Sequence, residues 1–352
     1  MPSLSNEIAS TVNMAYNSRT PLNITGAGTK SFLGNQANNG KPLSVTGHRG
    51  IIEYDPAELV LVARAGTPLK EIESLLRKNG QMLGFEPPFA GAGATLGGAV
   101  AAGLAGPRRA YSGAVRDFIL GATIVNGKGE IVTAGGKVMK NVAGFDLFRP
   151  MAGSMGTLGV LLKIAVRVLP MPEAEKTLLH EESDQLHALR KMNRWPCETQ
   201  AISASSWDGA RIRIRLSGSP SGIEHARSCI GGEYVDGKDY WRDLNNFRLD
   251  FFRQPGRLWR ISVAPMSEPF DVDLNQLIDW GGAQRWLKSD EPPLSIRSRA
   301  SRLGGHAECF SGDSTVTTFH PLEGSILTVN RCFKNALDPA GILNPGRMYP
   351  EL

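Results

Sequence analysis

The 352-residue sequence predicts an α+β fold of two domains, the first of them built around a bulky ligand. Composition changes near residue 170. Of the 40 glycines, 25 precede that point, whereas all six tryptophans and all four cysteines follow it. The boundary falls at Leu169-Pro170-Met171-Pro172, giving a first domain at 1–170, a cap domain at 171–330 and a tail at 331–352 that returns to the first domain. Within the first domain, strand-patterned runs alternate with capped helical stripes and break three times into glycine-rich loops.

The elements follow in order. Leu4, Ile8, Val12 and Ala15 stand at helical spacing over residues 4–17, and Leu22–Thr25 is a strand that breaks into Gly26-Ala27-Gly28-Thr29-Lys30. Leu43–Thr46, Ile51–Tyr54 and Leu59–Ala63 read as further strands. Thr67 is the expected cap, with Pro68 in the first position, of a helix whose stripe is Leu69, Ile72, Leu75 and Leu76 and whose stop is Asn79-Gly80. Val115–Val125 and Glu130–Thr133 form a hairpin about Asn126-Gly127-Lys128-Gly129, and Lys140–Leu147 leads into a short helix. Val160–Val168 is a long apolar strand. In the second half, Leu178–Met192 and Gly222–Ile230 read as helices, and Ala201–Ser206 and Arg211–Leu216 as paired strands. Ser262–Ala264 and Thr315–Thr318 read as weaker strands. Together they predict a small antiparallel sheet with helices on one face, followed by a helix at Leu322–Ala336.

The charge of +5, from 39 basic and 34 acidic residues, comes without a long block of one sign, which excludes a nucleic-acid arm and leaves an anionic ligand or partner. Arg211-Ile212-Arg213-Ile214-Arg215 alternates with period two. A solvated guanidinium face over a half-buried strand is the plain reading, a protein docking face the other. Cys197, Cys229, Cys309 and Cys332 are too scattered for a cluster or zinc site and read as reduced, mostly buried thiols, so no metal is expected. The N-terminus lacks a signal-peptide pattern, and the apolar stretches are too short or are broken by Lys163 and Arg167. A cytoplasmic protein is expected.

The stretch Phe85–Gly113 is almost bare of side chains between Gly91 and Gly106, so a ligand can lie against its backbone with main-chain N–H groups as donors. The loop at Gly26–Lys30 adds a hydroxyl and a cation, which suits phosphate, and Gly153-Ser154-Met155-Gly156-Thr157-Leu158-Gly159-Val160 repeats the small-residue pattern. A nicotinamide fingerprint is disfavoured. Gly91-Ala92-Gly93-Ala94-Thr95-Leu96 fails at its last position and follows no strand, and Lys30 follows Thr29 instead of the glycine of a P-loop. A pyrophosphate-bearing ligand of another kind remains.

These residues resemble the FAD domain shared by vanillyl-alcohol oxidase, p-cresol methylhydroxylase and the D-2-hydroxy-acid dehydrogenases, over residues 20–170 and the tail Asp338–Arg347. Thr25–Thr29 is similar to that family's first pyrophosphate loop. Thr95-Leu96-Gly97-Gly98 with Gly103, Tyr111-Ser112-Gly113 and Arg116-Asp117 is similar to its second FAD segment. Gly153–Val160 is similar to the segment passing the adenine and flavin edge. Gly103–Tyr111, Met139–Asp146 and Leu343-Asn344-Pro345-Gly346-Arg347-Met348-Tyr349 narrow the resemblance to the smaller FAD-binding subunits of glycolate oxidase (glycolate dehydrogenase) complexes.

The resemblance implies a two-lobed p-cresol methylhydroxylase-type FAD-binding domain, a smaller α+β cap, and cofactor contacts from Gly26, Gly28, Thr29, Lys30, Thr95, Gly97, Gly98, Gly103, Gly113, Asp117, Gly156, Gly159, Val160 and Asn344. Among these, Gly26, Gly28, Gly98 and Thr29 would hold the pyrophosphate, whereas Gly97, Gly103, Gly156 and Val160 would admit the ring system. Partners implied are a larger homologous FAD subunit and an iron–sulfur subunit, with peripheral association at the cytoplasmic side of the inner membrane through them. Relatives with covalent flavin carry a histidine in the first loop; here Gly26–Lys30 has none, so non-covalent FAD is expected. The larger dehydrogenases carry a histidine-rich metal and substrate motif in the second domain. Here His306 and His320 have no such setting, and no catalytic residue is assigned.

Other candidates stay open. His306 or His320 is a packed or surface imidazole or a base; Lys140 and Asn141 cap a helix or sit near flavin; Arg108 and Arg109 clamp an anion or lie on the surface. Three functions are compatible with this sequence: an FAD subunit of a glycolate-oxidising complex, a self-sufficient FAD dehydrogenase of a small 2-hydroxy acid, or a non-catalytic docking subunit on a flavin fold.

Overall fold

The structure is a computed structural model that describes residues 4–36, 40–89, 93–136, 148–270, 276–310 and 315–352. The chain opens with helix α1 (Leu4–Ser18), strands β1 (Leu22–Thr25), β2 (Lys41–Ser44), β3 (Ile51–Asp55) and β4 (Val60–Arg64), then α2 (Leu69–Lys78) and β5 (Gln81–Met82). It continues through α3 (Leu96–Ala102), α4 (Arg109–Ser112), α5 (Val115–Phe118), β6 (Ile119–Val125), β7 (Ile131–Gly135), β8 (Val160–Arg167) and β9 (Leu169–Pro170). Next come β10 (Ala174–Glu181), α6 (Gln185–Glu198), β11 (Ile202–Trp207), β12 (Arg211–Gly218), α7 (Pro220–Ile230), β13 (Glu233–Val235), α8 (Lys238–Asn245) and α9 (Asp250–Arg253). The last elements are β14 (Leu258–Ser262), β15 (Gln276–Asp279), β16 (Gln284–Lys288), α10 (Pro293–Arg302), β17 (His306–Cys309) and α11 (Gly324–Leu337). Among the described residues, no helix is long and apolar enough to cross a membrane.

The described residues fall into two compact units. Unit 1 takes Met1–Leu104, Ala114–Pro170 and Pro321–Leu352; unit 2 takes Ala105–Gly113 and Met171–His320. The segment Ala105–Gly113, placed in the first domain on sequence, groups with unit 2 because α4 packs on β11 there, with the Tyr111 hydroxyl donating to Ser205 Oγ at 2.8 Å.

Unit 1 holds a five-stranded antiparallel sheet in the order β3-β4-β8-β6-β7, with the mostly buried strands β8 and β6 at its centre. Strands β1 and β2 form a separate parallel pair, and β5 pairs with β9. Ile8, Val12 and Ala15 of α1 pack with Leu22, Leu43, Val125, Val160, Leu162, Ile342 and Leu343. Fully burying one such branched side chain contributes about 1.5–3 kcal/mol. This core therefore fixes β1 from below and draws the tail against it.

Unit 2 is organised on an eight-stranded antiparallel sheet in the order β13-β10-β12-β11-β15-β16-β14-β17. One face is apolar and carries α6, α7 and α10, through Leu189, Met192, Ile223 and Ala226 on Leu178, Ile212 and Ile214, and through Ile296 and Ala300 on Trp259 and Ile261. The opposite face is covered over β12 by α8. Trp241 Nε1 donates to Thr177 Oγ1 at 2.9 Å, and the Arg213 guanidinium lies 4.3 Å from the Tyr240 ring centre.

Several local expectations are corrected. Thr67 does not cap α2; its hydroxyl donates to Arg64 O, and Pro68 occupies the cap position. The first four residues of the expected strand 115–125 are helix α5, because Asp117 Oδ2 accepts the Ala114 N–H at 2.8 Å and turns the chain there. The expected helix 178–192 begins as β10, which pairs with both β12 and β13, and turns helical only where Asp184 Oδ1 accepts the His187 N–H at 2.7 Å. Residues 315–318 form no strand. The sheet of unit 2 has helices on both faces, and the arginines of β12 are not all solvated: Arg215 is buried under Trp241. Cys309 is buried, but Cys197, Cys229 and Cys332 are exposed. Gly91, Ala92 and the stretch Lys140–Leu147, with Lys140 and Asn141, lie outside the described residues.

Candidate cofactor-binding site

A cleft in unit 1 is lined by the end of β1 and the loop after it, Asn23–Ser31, by Thr95, Gly98, Ala101 and Ala102 of the α3 segment, and by Met155, Asn344 and Arg347. Strand β1 aims the loop. Leu22 is fully buried beneath it, its N–H donating to Ile342 O at 2.7 Å, and Asn344 N–H donates back to Leu22 O at 3.1 Å.

Beyond Thr25 the chain stops pairing. Among the described residues, none of the backbone N–H groups from Gly26 to Lys30 meets a protein acceptor. Gly28, at φ +73°, gives this run the left-handed turn that lets successive N–H groups converge. Gly26 lies against Thr95, and a Cβ there would stand 2.7 Å from Thr95 Oγ1, so a side chain would fill the cradle.

The amides opening α3 are differently employed. Leu96 N–H donates to Thr67 O, Gly97 N–H to Ala65 O at 2.7 Å, and Gly98 N–H to the capping Thr95 Oγ1 at 3.2 Å. Gly98 and Thr95 therefore wall the cleft, and the unpaired donors are those of the loop.

Lys30 supplies the charge. Its side chain is buried, its Nζ has no hydrogen-bond partner among the described residues, and it lies 5.7 Å from the centre of the Phe89 ring. Burial pulls this ammonium down to about 8. A buried cation without an acceptor, next to a run of unpaired amides, is built for an anion. The two phosphates of a dinucleotide fit that donor set, so the residues suit FAD.

The tail completes the cleft. Asn344 Oδ1 accepts the Ile24 N–H at 2.7 Å while its Nδ2 donates to Met155 O at 2.7 Å. Arg347 donates to the carbonyls of Asn35, Ser31 and Leu33 at 2.6, 2.9 and 2.6 Å, and Asn35 Nδ2 donates to Gly346 O. The loop 31–35 and the tail are thus clamped together. Beneath them Lys334 Nζ donates to Thr157 O, Asp338 Oδ2 and Leu343 O at 2.7, 2.8 and 3.0 Å, and Asp338 accepts the Ile342 and Leu343 N–H groups.

The sites expected from sequence separate into two groups. Gly26, Gly28, Thr29, Lys30, Thr95, Gly98 and Asn344 line this cleft. Gly97, Gly103, Gly113, Asp117, Gly156, Gly159 and Val160 do not; they shape chain around it or elsewhere. Gly97 presses on Ala65, Gly103 (φ +66°) lets the end of α3 approach Gly153, and Gly156 faces Asn344. Gly159 packs on Ile124 and Val160 is core. Gly113 ends α4 in unit 2, and Asp117 caps α5.

Arg347, Met155 and Asn23 lie in the cleft without having been assigned contacts on sequence. The arginine carried a signal in the Asn-Pro-Gly-Arg run. Arg108 is neither clamp nor surface charge but is buried on Glu175 at 3.0 Å, and Arg109 lies 4.3 Å over the Trp280 ring. His320 Nδ1 accepts the Ala307 N–H, a structural use.

Residues 1–135 match the family described as FAD binding domain. Over 342 residues the chain is 48% identical to glycolate oxidase subunit GlcE of Escherichia coli (strain K12), covering 97% of this chain and 96% of that protein. Glycolate oxidase subunit GlcD of Bacillus subtilis (strain 168) is 31% identical over 181 residues, 51% of this chain and 38% of that protein. A solved structure of alkyldihydroxyacetonephosphate synthase aligns with 96% of this chain and 74% of its own at a TM-score of 0.66 and 16% identity, a likeness of fold. The α+β architecture is that of the p-cresol methylhydroxylase-type FAD proteins, and FAD is the cofactor. By near full-length identity, the chain belongs to the GlcE family of glycolate oxidase subunits, within the FAD-dependent oxidoreductases.

Proposed function

We propose that this chain is the FAD-holding subunit of a glycolate-oxidising complex, working beside a larger homologous flavin subunit and passing reducing equivalents toward an iron–sulfur subunit and a membrane acceptor. The observation that carries the cofactor half of this reading is Lys30: a buried ammonium without a hydrogen-bond acceptor, set beside the unpaired amides Gly26–Lys30. When bound, FAD supplies the two-electron chemistry, and the chain supplies binding, orientation and electrostatics. Loop amides and Lys30 hold the phosphates, with the Thr29 hydroxyl beside them. Thr95 and Gly98 close the wall, and Asn344 keeps β1 in register with it. Among the described residues, no histidine, cysteine or tyrosine lines the cleft, which supports a non-covalent cofactor. The complex half rests on the identity to the Escherichia coli subunit.

The test is an absorbance spectrum of the purified chain before and after anaerobic glycolate, alone and with the larger flavin subunit. Flavin bands that bleach only once the larger subunit is present support the proposal. Bleaching by the chain alone would make it a dehydrogenase in its own right and overturn the dependent-subunit reading.

A further inference from the structure

Two cations line the cofactor cleft, and among the described residues no acidic side chain does. Lys30 comes from the loop and Arg347 from the tail. Arg347 is half-buried, and its guanidinium is held by carbonyl oxygens with no carboxylate among its partners. Burial lowers it from its ordinary value.

Two relays of hydrogen bonds run from Arg347 into the cradle. Its Nη2 donates to Ser31 O at 2.9 Å and to Leu33 O at 2.6 Å, while Ser31 N–H donates to Gly28 O at 3.0 Å and Leu33 N–H to Lys30 O at 3.1 Å. The carbonyl and N–H of a trans peptide point opposite ways. With Gly28 O tied back to Ser31, the Thr29 N–H is aimed the other way, and Thr29 lines the cleft.

The same residues seat the tail. Arg347 Nη1 donates to Asn35 O at 2.6 Å, Asn35 N–H donates to Arg347 O at 2.9 Å, and Asn35 Nδ2 donates to Gly346 O and Met348 O at 2.9 and 3.2 Å. Six hydrogen bonds thus join residues 346–348 to residues 31–35. Gly34, at φ +85°, permits the close approach, since a Cβ there would stand 2.9 Å from Arg347 O. The next residues, Met348, Tyr349 and Leu352, border a second cavity of about 280 Å³. On that side the tail meets space instead of packed core.

We propose that Arg347 is the positioning residue of the phosphate cradle, and that FAD binding and the seating of residues 345–352 are one coupled equilibrium. The cradle keeps its shape with the tail seated, and the tail seats firmly once a diphosphate offsets the charges of Lys30 and Arg347. Such coupling is reciprocal: the factor by which the seated tail raises FAD affinity is the factor by which FAD favours the seat. The ligand rests on the FAD reading above, and the relay on the bonds of Arg347.

The test is hydrogen exchange of the full chain, read by mass spectrometry with FAD removed and restored, beside fluorescence titration of FAD. In wild type, FAD should slow exchange over residues 31–36 and 345–352 at least tenfold. Arg347→Met should weaken FAD at least tenfold and lose that slowing even at saturating FAD. Lys30→Met, which removes a phosphate contact and leaves the relay, should weaken FAD and keep it. Arg347→Lys should behave as Arg347→Met, because one ammonium cannot span the carbonyls of Ser31, Leu33 and Asn35. Tail exchange indifferent to FAD in wild type, full rescue by lysine, or slowing retained in Arg347→Met would overturn the proposal. If the Arg347 variants do not fold, the wild-type comparison decides. A folded wild-type chain that takes up no FAD overturns the cofactor reading and this proposal with it, an outcome the titration reports separately.

Discussion

Asn344 and Ile24 bond to each other in both directions: Ile24 N–H donates to Asn344 Oδ1 at 2.7 Å, and Asn344 Nδ2 donates to Ile24 O at 3.3 Å. Residues 320 positions apart are thereby held as if in one strand, and the loop that leaves β1 starts from a fixed point. Asn344 sits at φ +41°, a region an asparagine tolerates better than most residues. Replacing it with alanine leaves the Ile24 N–H and the Met155 carbonyl without a side-chain partner, at about 1–3 kcal/mol. Asn344→Ala should lose about tenfold in FAD affinity by fluorescence titration, a step of about 1.4 kcal/mol.

The buried pair Lys334–Asp338 organises the tail beneath the cleft, and its partners are 5% and 0% exposed. Removing one charge strands the other, a loss of about 3–5 kcal/mol. Lys334→Met should therefore destabilise unit 1 strongly in urea unfolding. The double variant Lys334→Met/Asp338→Asn should recover part of that loss, since no unpaired carboxylate then remains. A double variant as unstable as the single would mean that the carbonyl contacts to Thr157 and Leu343, not the charge pair, carry the energy.

Lys30 gives the cofactor site a pH dependence with a definite sign. Burial lowers its free-state value to about 8, and a bound phosphate favours the charged form, raising it again. Between those two values the bound state holds a proton that the free state lacks, so FAD affinity should be flat below pH 8 and fall as pH rises beyond it. Lys30→Met should remove that slope and weaken FAD by about 10- to 150-fold, the span of a charge-assisted hydrogen bond at about 1.5–3 kcal/mol. Affinity measured at pH 6 to 10 in both proteins checks it.

Asp279 gives unit 2 a pH dependence of its own. Its folded value, pushed up to about 7, lies above the ordinary 3.8, so the folded state retains a proton that the unfolded state releases. Stability is fullest below the ordinary value and falls as pH rises toward 7. All six tryptophans lie in unit 2, so tryptophan fluorescence follows its unfolding directly. Asp279→Asn should flatten the decline between pH 4 and 7.

Local pattern was sufficient wherever one segment held its own reason. The stripe of α2, the alternation of β12 and the apolar run of β8 all stand as elements with close to their expected bounds. The loop Gly26–Lys30 was legible for the same reason, since glycine, hydroxyl and cation adjoin in sequence.

What sequence did not disclose depends on partners far along the chain. Residues 178–181 resemble a helix start until β12 and β13 pair with them. Glycines such as Gly97, Gly103 and Gly156 look like ligand contacts, yet each brings its segment against another segment of protein. Asp279 gave no signal at all, because it sits in an ordinary strand and only the pairing of β15 with β16 sets the Gln284 amide on its carboxyl.

The most direct measurement is the flavin content of the purified chain: its absorbance spectrum beside that of Lys30→Met, followed by acid denaturation and separation of released cofactor. About one FAD per wild-type chain is expected, wholly released on denaturation, and markedly less in the variant at equal folding. A folded wild-type chain that carries no FAD and takes none up, or a variant that retains it fully, would contradict the assignment of the Gly26–Lys30 loop as the phosphate cradle.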